Sequence, residues 1–208
     1  MTLTLVNGDE TAARTLVFAH GAGAAMDTPW MTQVADGLAH AGIRVVRFEF
    51  PYMAERRVGK RRPPDRMPVL LSTFRTFYAL ERAAGRAVFV GGKSMGGRVA
   101  SMVADEVGAS GVVCMGYPFK PPGKDQIPRD RIAHLEHLRT PALIVQGDRD
   151  PFGGPNELAP LKLAAQVVWV PDGDHDLKPR VRSGHTFAAN MSMAIASIAG
   201  FVLSTKGS

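Results

Sequence analysis

Arg86-Ala87-Val88-Phe89-Val90-Gly91-Gly92-Lys93-Ser94-Met95-Gly96-Gly97-Arg98 reads as a strand, a tight turn and the start of a helix. The apolar run ends at Val90, a helical pattern opens from Arg98 onward, and Gly-x-Ser-x-Gly spans the turn between them. A serine at so sharp a turn sits in strained backbone, and its neighbours must approach other main chain without side chains. Gly92 and Gly96 stand at the two spacings where a Cβ would clash. The turn lifts the Ser94 hydroxyl above the sheet edge, beside the positive end of the following helix. That makes Ser94 a candidate nucleophile. A phosphate cradle is the rival reading of a glycine-rich turn. Its pattern, Gly-x-x-x-x-Gly-Lys-Ser/Thr, needs glycine at 87 and 92, and residue 87 is alanine.

The same alternation runs outward in both directions. Strand-like runs fall at Thr15–Ala19, Arg44–Phe50, Ala87–Val90, Gly111–Met115, Ala142–Val145 and Val167–Val170. Most are continuous apolar runs without polar alternation, the mark of strands covered on both faces, so a parallel sheet is predicted. Helical patterns lie near Pro29–Ala41, Val69–Ala84, Met95–Val107, Asn156–Ala164 and Gly184–Ser204. Thr28 before Pro29 suits a helix start, and Gly42 suits its end. Strand and helix in turn predict an α/β sheet built of βαβ units. The segment Pro51–Pro68 breaks this rhythm with six basic residues and two acidic ones. It follows a strand, so it is expected to project as a loop from the carboxyl edge of the sheet, where ligands bind in open α/β folds. It is either a solvated surface or an anion clamp in which Arg56 and Arg57 hold substrate. Nucleic acid is disfavoured, since only Tyr52 is interleaved with the charges.

Bulk properties narrow the class. The chain has 208 residues, 45% hydrophobic and 21% charged, which suits one ordered domain. A formal net charge of +6 permits an anionic partner without requiring one. A single cysteine, Cys114, excludes an intrachain disulfide and suits a reducing cytoplasm; it reads as a core thiol at a strand end. The N-terminal residues 1–6 show no basic stretch or long apolar core, so no signal peptide is expected. The apolar stretch from Phe187 to Leu203 is interrupted by Asn190, Ser192 and Ser197, and repeats at Ala188, Met191, Ile195, Ile198 and Val202. It reads as a buried helix, not a membrane span.

A nucleophilic serine needs a base, and the base needs an acid to hold its tautomer. After a nucleophile elbow these follow as acid then base, on loops leaving later strands. Gln146-Gly147-Asp148-Arg149-Asp150-Pro151 follows the strand at Ala142, and Asp150 is the acid past the turn, with Asp148 as alternative. Pro171-Asp172-Gly173-Asp174-His175-Asp176 follows the last strand and supplies His175 as base, with His185 as fallback. His134 and His137 are expected at the surface. The alternating aspartates around His175 mimic a calcium loop, but its required glycine and glutamate positions hold Leu177 and Ser183. No zinc-ligand spacing is present. An oxyanion hole needs two main-chain N–H donors. Met95 offers one, and Ala22 the other, in His20-Gly21-Ala22-Gly23-Ala24, with Gly23 adjacent. Gly21, Gly23 and Lys93 are further expected at the substrate, Lys93 either favouring anions or only packing its stem. His20 reads as a buried brace of its turn.

With His20-Gly21, Gly92-Lys93-Ser94-Met95-Gly96, Gly147-Asp148-Arg149-Asp150-Pro151 and Asp174-His175 in this order, the chain resembles an α/β-hydrolase from Thr15 to about Leu203. It is similar to the small lidless hydrolases grouped with dienelactone hydrolases. Gly91–Arg98, the Arg-rich segment and Asp150-Pro151-Phe152-Gly153 more narrowly resemble a bacterial subgroup. That subgroup is related to the hydrolase-like domain of a non-specific-lethal chromatin complex subunit. The resemblance implies a mostly parallel central sheet with helices on both faces and no large cap domain. It also implies a Ser94–His175–Asp150 triad and no metal or organic cofactor. True dienelactone hydrolases carry cysteine where Ser94 stands, so their substrate is not implied. The expected reaction is cleavage of a small ester or related acyl bond. The alternative is a non-catalytic module binding anionic partners through residues 55–66.

Overall fold

Why the chain forms one twisted layer follows from its strand composition. The computed structural model describes residues 4–206; residues 1–3, the start of the N-terminal stretch read above, and 207–208 lie outside the description. Seven strands form one sheet in the order β1-β3-β2-β4-β5-β6-β7. They are β1 (Thr4–Asn7), β2 (Arg14–Ala19), β3 (Arg44–Phe48), β4 (Ala87–Lys93), β5 (Gly111–Met115), β6 (Ala142–Gly147) and β7 (Gln166–Val170). All neighbours run parallel except β1, which pairs antiparallel with β3. Strands β3, β5 and β6 are buried at every residue, as strands covered on both faces are, with Arg44, Arg47 and Gln146 the polar side chains they carry inside.

Helices cover both faces: α1 (Pro29–His40), α2 (Pro51–Arg57), α3 (Met67–Ala83), α4 (Met95–Val107), α5 (Arg129–Ile132), α6 (Pro155–Leu158) and α7 (Phe187–Ser204). One core layer joins α3 and α4 to the sheet through Phe48, Phe74, Phe77, Val90, Val99 and Val103. The other joins α1 and α7 through Leu16, Val34, Leu38, Val113, Met191 and Ile198. The α7 helix is long and apolar enough to cross a membrane, with a mean hydropathy of 1.6. Its stripe of Met191, Ala194, Ile198 and Val202 is nevertheless built into that second layer. Ala188, expected in the stripe, is exposed one turn earlier.

Several elements depart from the sequence reading. Strand β1 was not anticipated, because its four half-exposed residues alternate on an edge. Strand β3 stops at Phe48, and Glu49 turns inward as a fully buried carboxylate gripped by Arg57. The Arg-rich segment is not all loop: Pro51 starts α2 and Pro68 lies in the first turn of α3, each using proline where a missing N–H does no harm. The helix expected over Asn156–Ala164 shrinks to α6, with Gly154 as its cap and Pro160 soon after its end. The last helix begins at Phe187, because the Thr186 hydroxyl caps it by accepting from Ala189 N–H.

Strand β4 runs through both glycines to Lys93. A Cβ on Gly91 would lie 2.4 Å from the Val113 carbonyl oxygen, so only glycine lets β4 and β5 pass there. At the end of β2, His20 ties two chain segments together. Its Nε2 accepts the Phe50 N–H at 3.1 Å, which leaves the proton on Nδ1 to donate to the Gly21 carbonyl at 2.7 Å. Burial holds this imidazole below its usual pKa, and an added Nε2 proton would face the Phe50 N–H head on. The unfolded chain therefore takes up a proton that the folded chain resists. Stability contributed by His20 is present at neutral pH and declines as pH falls through about 6.5. Denaturant titrations of wild type and His20→Asn from neutral pH to about pH 5 should show the wild-type advantage shrinking on acidification. A margin independent of pH would contradict this account.

Candidate active site

Everything of interest lies where the parallel strands end at their carboxyl edge. Ser94 connects β4 to α4 with φ 52° and ψ −116°, a left-handed strain unusual for a side-chain-bearing residue. The strain is held by packing. A Cβ on Gly92 would meet the Ala19 carbonyl oxygen at 2.6 Å, and one on Gly96 would meet the same oxygen at 2.5 Å. The Ser94 N–H donates to the Met115 carbonyl at 2.9 Å, anchoring the turn to β5. Met95 opens α4, so its N–H has no carbonyl within the helix to receive it.

Asp150 lies beyond a turn closed by its own N–H donating to the Gly147 carbonyl at 3.1 Å. Its carboxylate is buried and fully engaged. Oδ1 accepts the Phe152 N–H at 2.8 Å, and Oδ2 accepts from Gln146 Nε2 at 2.9 Å and from His175 Nδ1 at 2.8 Å. With a carboxylate on Nδ1, the neutral imidazole carries its proton there, and Nε2 is left as a lone pair. The His175 ring packs against Phe152, with ring centres 4.2 Å apart. Asp148 does not take part: it faces a separate hollow with Arg149, Asp172 and Arg180. His185 borders that second hollow as well.

Ser94 and His175 open onto one cleft of about 300 Å³. Gly21, Ala22, Gly23 and Lys93 line it too, as do Trp30, Met31 and Phe152. The loop after β2 is held by Tyr52, whose hydroxyl donates to the Ala22 carbonyl at 3.0 Å. The Gly21 and Ala22 carbonyls thus have internal partners, and both residues line the cleft.

Arg56 and Arg57 are not at this cleft, contrary to the expectation of an anion clamp. Arg57 forms a two-pronged pair with the buried Glu49, at 2.7 and 2.6 Å, and a further bond to Asp27 at 2.9 Å. A buried carboxylate needs such a partner, so this guanidinium is committed to the fold. Arg56 lies over the Tyr52 ring and donates to the Arg62 carbonyl, on the wall of another surface hollow with Lys60 and Arg61. His134, expected at the surface, is half-buried with Nε2 2.9 Å from the Ser101 hydroxyl.

Three contributors were missed in the sequence. Gln146 is fully buried, accepts the Tyr117 N–H at 2.7 Å and donates to Asp150 and to the Gly153 carbonyl. A polar residue ending an otherwise apolar strand was the available signal. Trp30 and Phe152 form cleft walls, and aromatic residues near loop ends carry no pattern that marks them. Replacing Gln146 by leucine keeps the volume but strands buried polar partners, at about 1–3 kcal/mol for each. Gln146→Leu should therefore lower the denaturation midpoint clearly, and an unchanged midpoint would show that these bonds add nothing.

The comparisons with known proteins agree with this fold. A family profile described as alpha/beta hydrolase domain matches residues 12–203. Among solved structures, a serine hydrolase without a lid from Xanthomonas campestris superposes with a TM-score of 0.70 at 19% identity, covering 99% of this chain and 96% of that one. A dienelactone hydrolase from Anabaena variabilis gives 0.71 at 21% identity, covering 96% and 91%. Est1E from Butyrivibrio proteoclasticus, solved with ferulic acid bound, gives 0.69 at 13% identity, covering 98% and 95%. With a seven-stranded, mostly parallel sheet and a family match across nearly its whole length, this chain belongs to the alpha/beta hydrolase family.

Proposed function

We propose that this protein is a serine hydrolase that cleaves small carboxylic esters through an acyl-enzyme. The observation that carries the reading is the 2.8 Å bond from His175 Nδ1 to the buried Asp150, with His175 and the strained Ser94 on the walls of one cleft. In this reading His175 Nε2 takes the Ser94 proton as the hydroxyl attacks the ester carbonyl. The same nitrogen then returns that proton to the departing alcohol. Water repeats the cycle to release the acid. Asp150 keeps the ring in its tautomer and stabilises the imidazolium while it lasts. The oxyanion is received by the Met95 N–H, at the positive end of α4, and by the Ala22 N–H.

Ser94 lacks a hydrogen bond to His175 at rest. Such bonds often tighten only when substrate arrives, so the free geometry fits the role. The cleft walls of Trp30, Met31 and Phe152 favour an apolar acyl or alcohol group of modest size. A lidless serine hydrolase and an esterase domain from a Rhodothermus marinus protein share this fold, which supports ester chemistry without naming this chain's substrate. A narrower kinship, with the bacterial subgroup related to a non-specific-lethal complex subunit, rests on residues 91–98, the Arg-rich segment and residues 150–153.

A fluorophosphonate probe should label the wild type and fail on Ser94→Ala. Turnover of short 4-nitrophenyl esters should fall on the order of a millionfold in Ser94→Ala and His175→Ala, and on the order of ten-thousandfold in Asp150→Asn. A folded wild type that neither labels nor turns over a panel of esters, thioesters and lactones would remove this function.

A further inference from the structure

Lys93 immediately precedes Ser94, is almost wholly buried, and points its ammonium at the loop that carries His175. Nζ donates to the His175 main-chain carbonyl at 2.5 Å. It also lies 3.4 Å from Asp176 Oδ1 and 5.4 Å from the centre of the Trp30 ring. Trp30 in turn donates from Nε1 to the Asp176 carbonyl at 3.0 Å. Two consecutive carbonyls of the His175 loop are therefore held from outside, one by β4 and one by α1.

Gly116 makes room for this arrangement. It has φ +61°, and a Cβ there would stand 2.9 Å from Lys93 Nζ, 3.0 Å from the His175 carbonyl oxygen and 3.2 Å from His175 Cε1. The ammonium and the imidazole are thus packed against one bare stretch of backbone after β5. Burial favours the neutral amine, while Asp176 and Asp150 oppose that and favour the charge.

We propose that Lys93 is a positioning residue for His175 and not a receptor for an anionic substrate. Its charge is already paired with Asp176 and its donor bond goes to the His175 carbonyl, so the cleft it borders suits uncharged acyl groups. The inference rests on the Ser94–His175–Asp150 reading and adds the strut that sets the base at its distance from the nucleophile. A small displacement of a catalytic base is enough to cost about a hundredfold in rate.

The test compares wild type with Lys93→Met, which keeps the apolar stem, and Lys93→Gln as a second variant should the first fail to fold. Steady-state kinetics use a neutral ester and the matching ester with a free carboxylate on its acyl chain. The expected result is a kcat lower by about 10- to 100-fold on both substrates, with KM changed less than about threefold. The imidazole signals of His175 in NMR spectra should shift or broaden in the variant while the remaining spectrum keeps its dispersion. A KM rise confined to the carboxylate ester, with kcat intact, would overturn the proposal in favour of an anion receptor. Unchanged kinetics together with unchanged His175 signals would also overturn it. If the wild type neither labels with fluorophosphonate nor turns over, the NMR comparison decides alone. Altered His175 signals then uphold the strut while the hydrolase reading falls, and unaltered signals overturn both.

Discussion

The close approach of three backbones at the end of β4 is the constraint on which the rest of the structure depends. The turn around Ser94 is pressed onto the last carbonyls of β2, and no side chain fits between them. Gly92 and Gly96 meet that condition from either side of the serine. The left-handed Ser94 is the outcome of this squeeze, because the chain must reverse from strand to helix in the space of one residue. Strain of this kind persists only where surrounding packing over-determines it. Here the packing is the parallel register of β2, β4 and β5, so the sheet itself holds the hydroxyl at its edge.

A second constraint concerns charge in a dry place. Asp150 and Glu49 are both buried carboxylates, and each is satisfied in a different way. Glu49 receives a guanidinium, which neutralises it and ties α2 to the end of β3. Asp150 receives an amide, a main-chain N–H and an imidazole, with no full positive charge in contact. A carboxylate locked to arginine stabilises structure, whereas one held by neutral donors can respond when the imidazole beside it becomes charged.

Much of this was legible in the sequence where local chemistry and global position coincide. The elbow, its glycines and the loops after β6 and β7 are written in short contiguous stretches, and periodicity locates the strands around them. The misses have a common physical origin in tertiary contact. Arg57 reads as a solvated charge until Glu49 is seen to turn inward, and Gln146 reads as a strand end until Tyr117 and Asp150 converge on it. Strand β1 is stabilised by pairing along one edge, not by burial, so its residues lack the apolar run that marks the others. The helix at residue 155 is short because Gly154 and Pro160 bracket it, a limit that composition alone understates.

Cys114 lies directly beneath the elbow, its thiol donating to the Gly97 carbonyl at 3.3 Å, and burial raises its pKa well above the usual range. Such a sulfur is closed to alkylating and oxidising reagents while the protein stays folded. It would become reachable only when α4 lifts from β5, so its rate of modification reports the opening of the layer that supports Ser94. A cysteine introduced on the cleft rim would then be the only thiol available to a dye in the native state, with no background mutation needed.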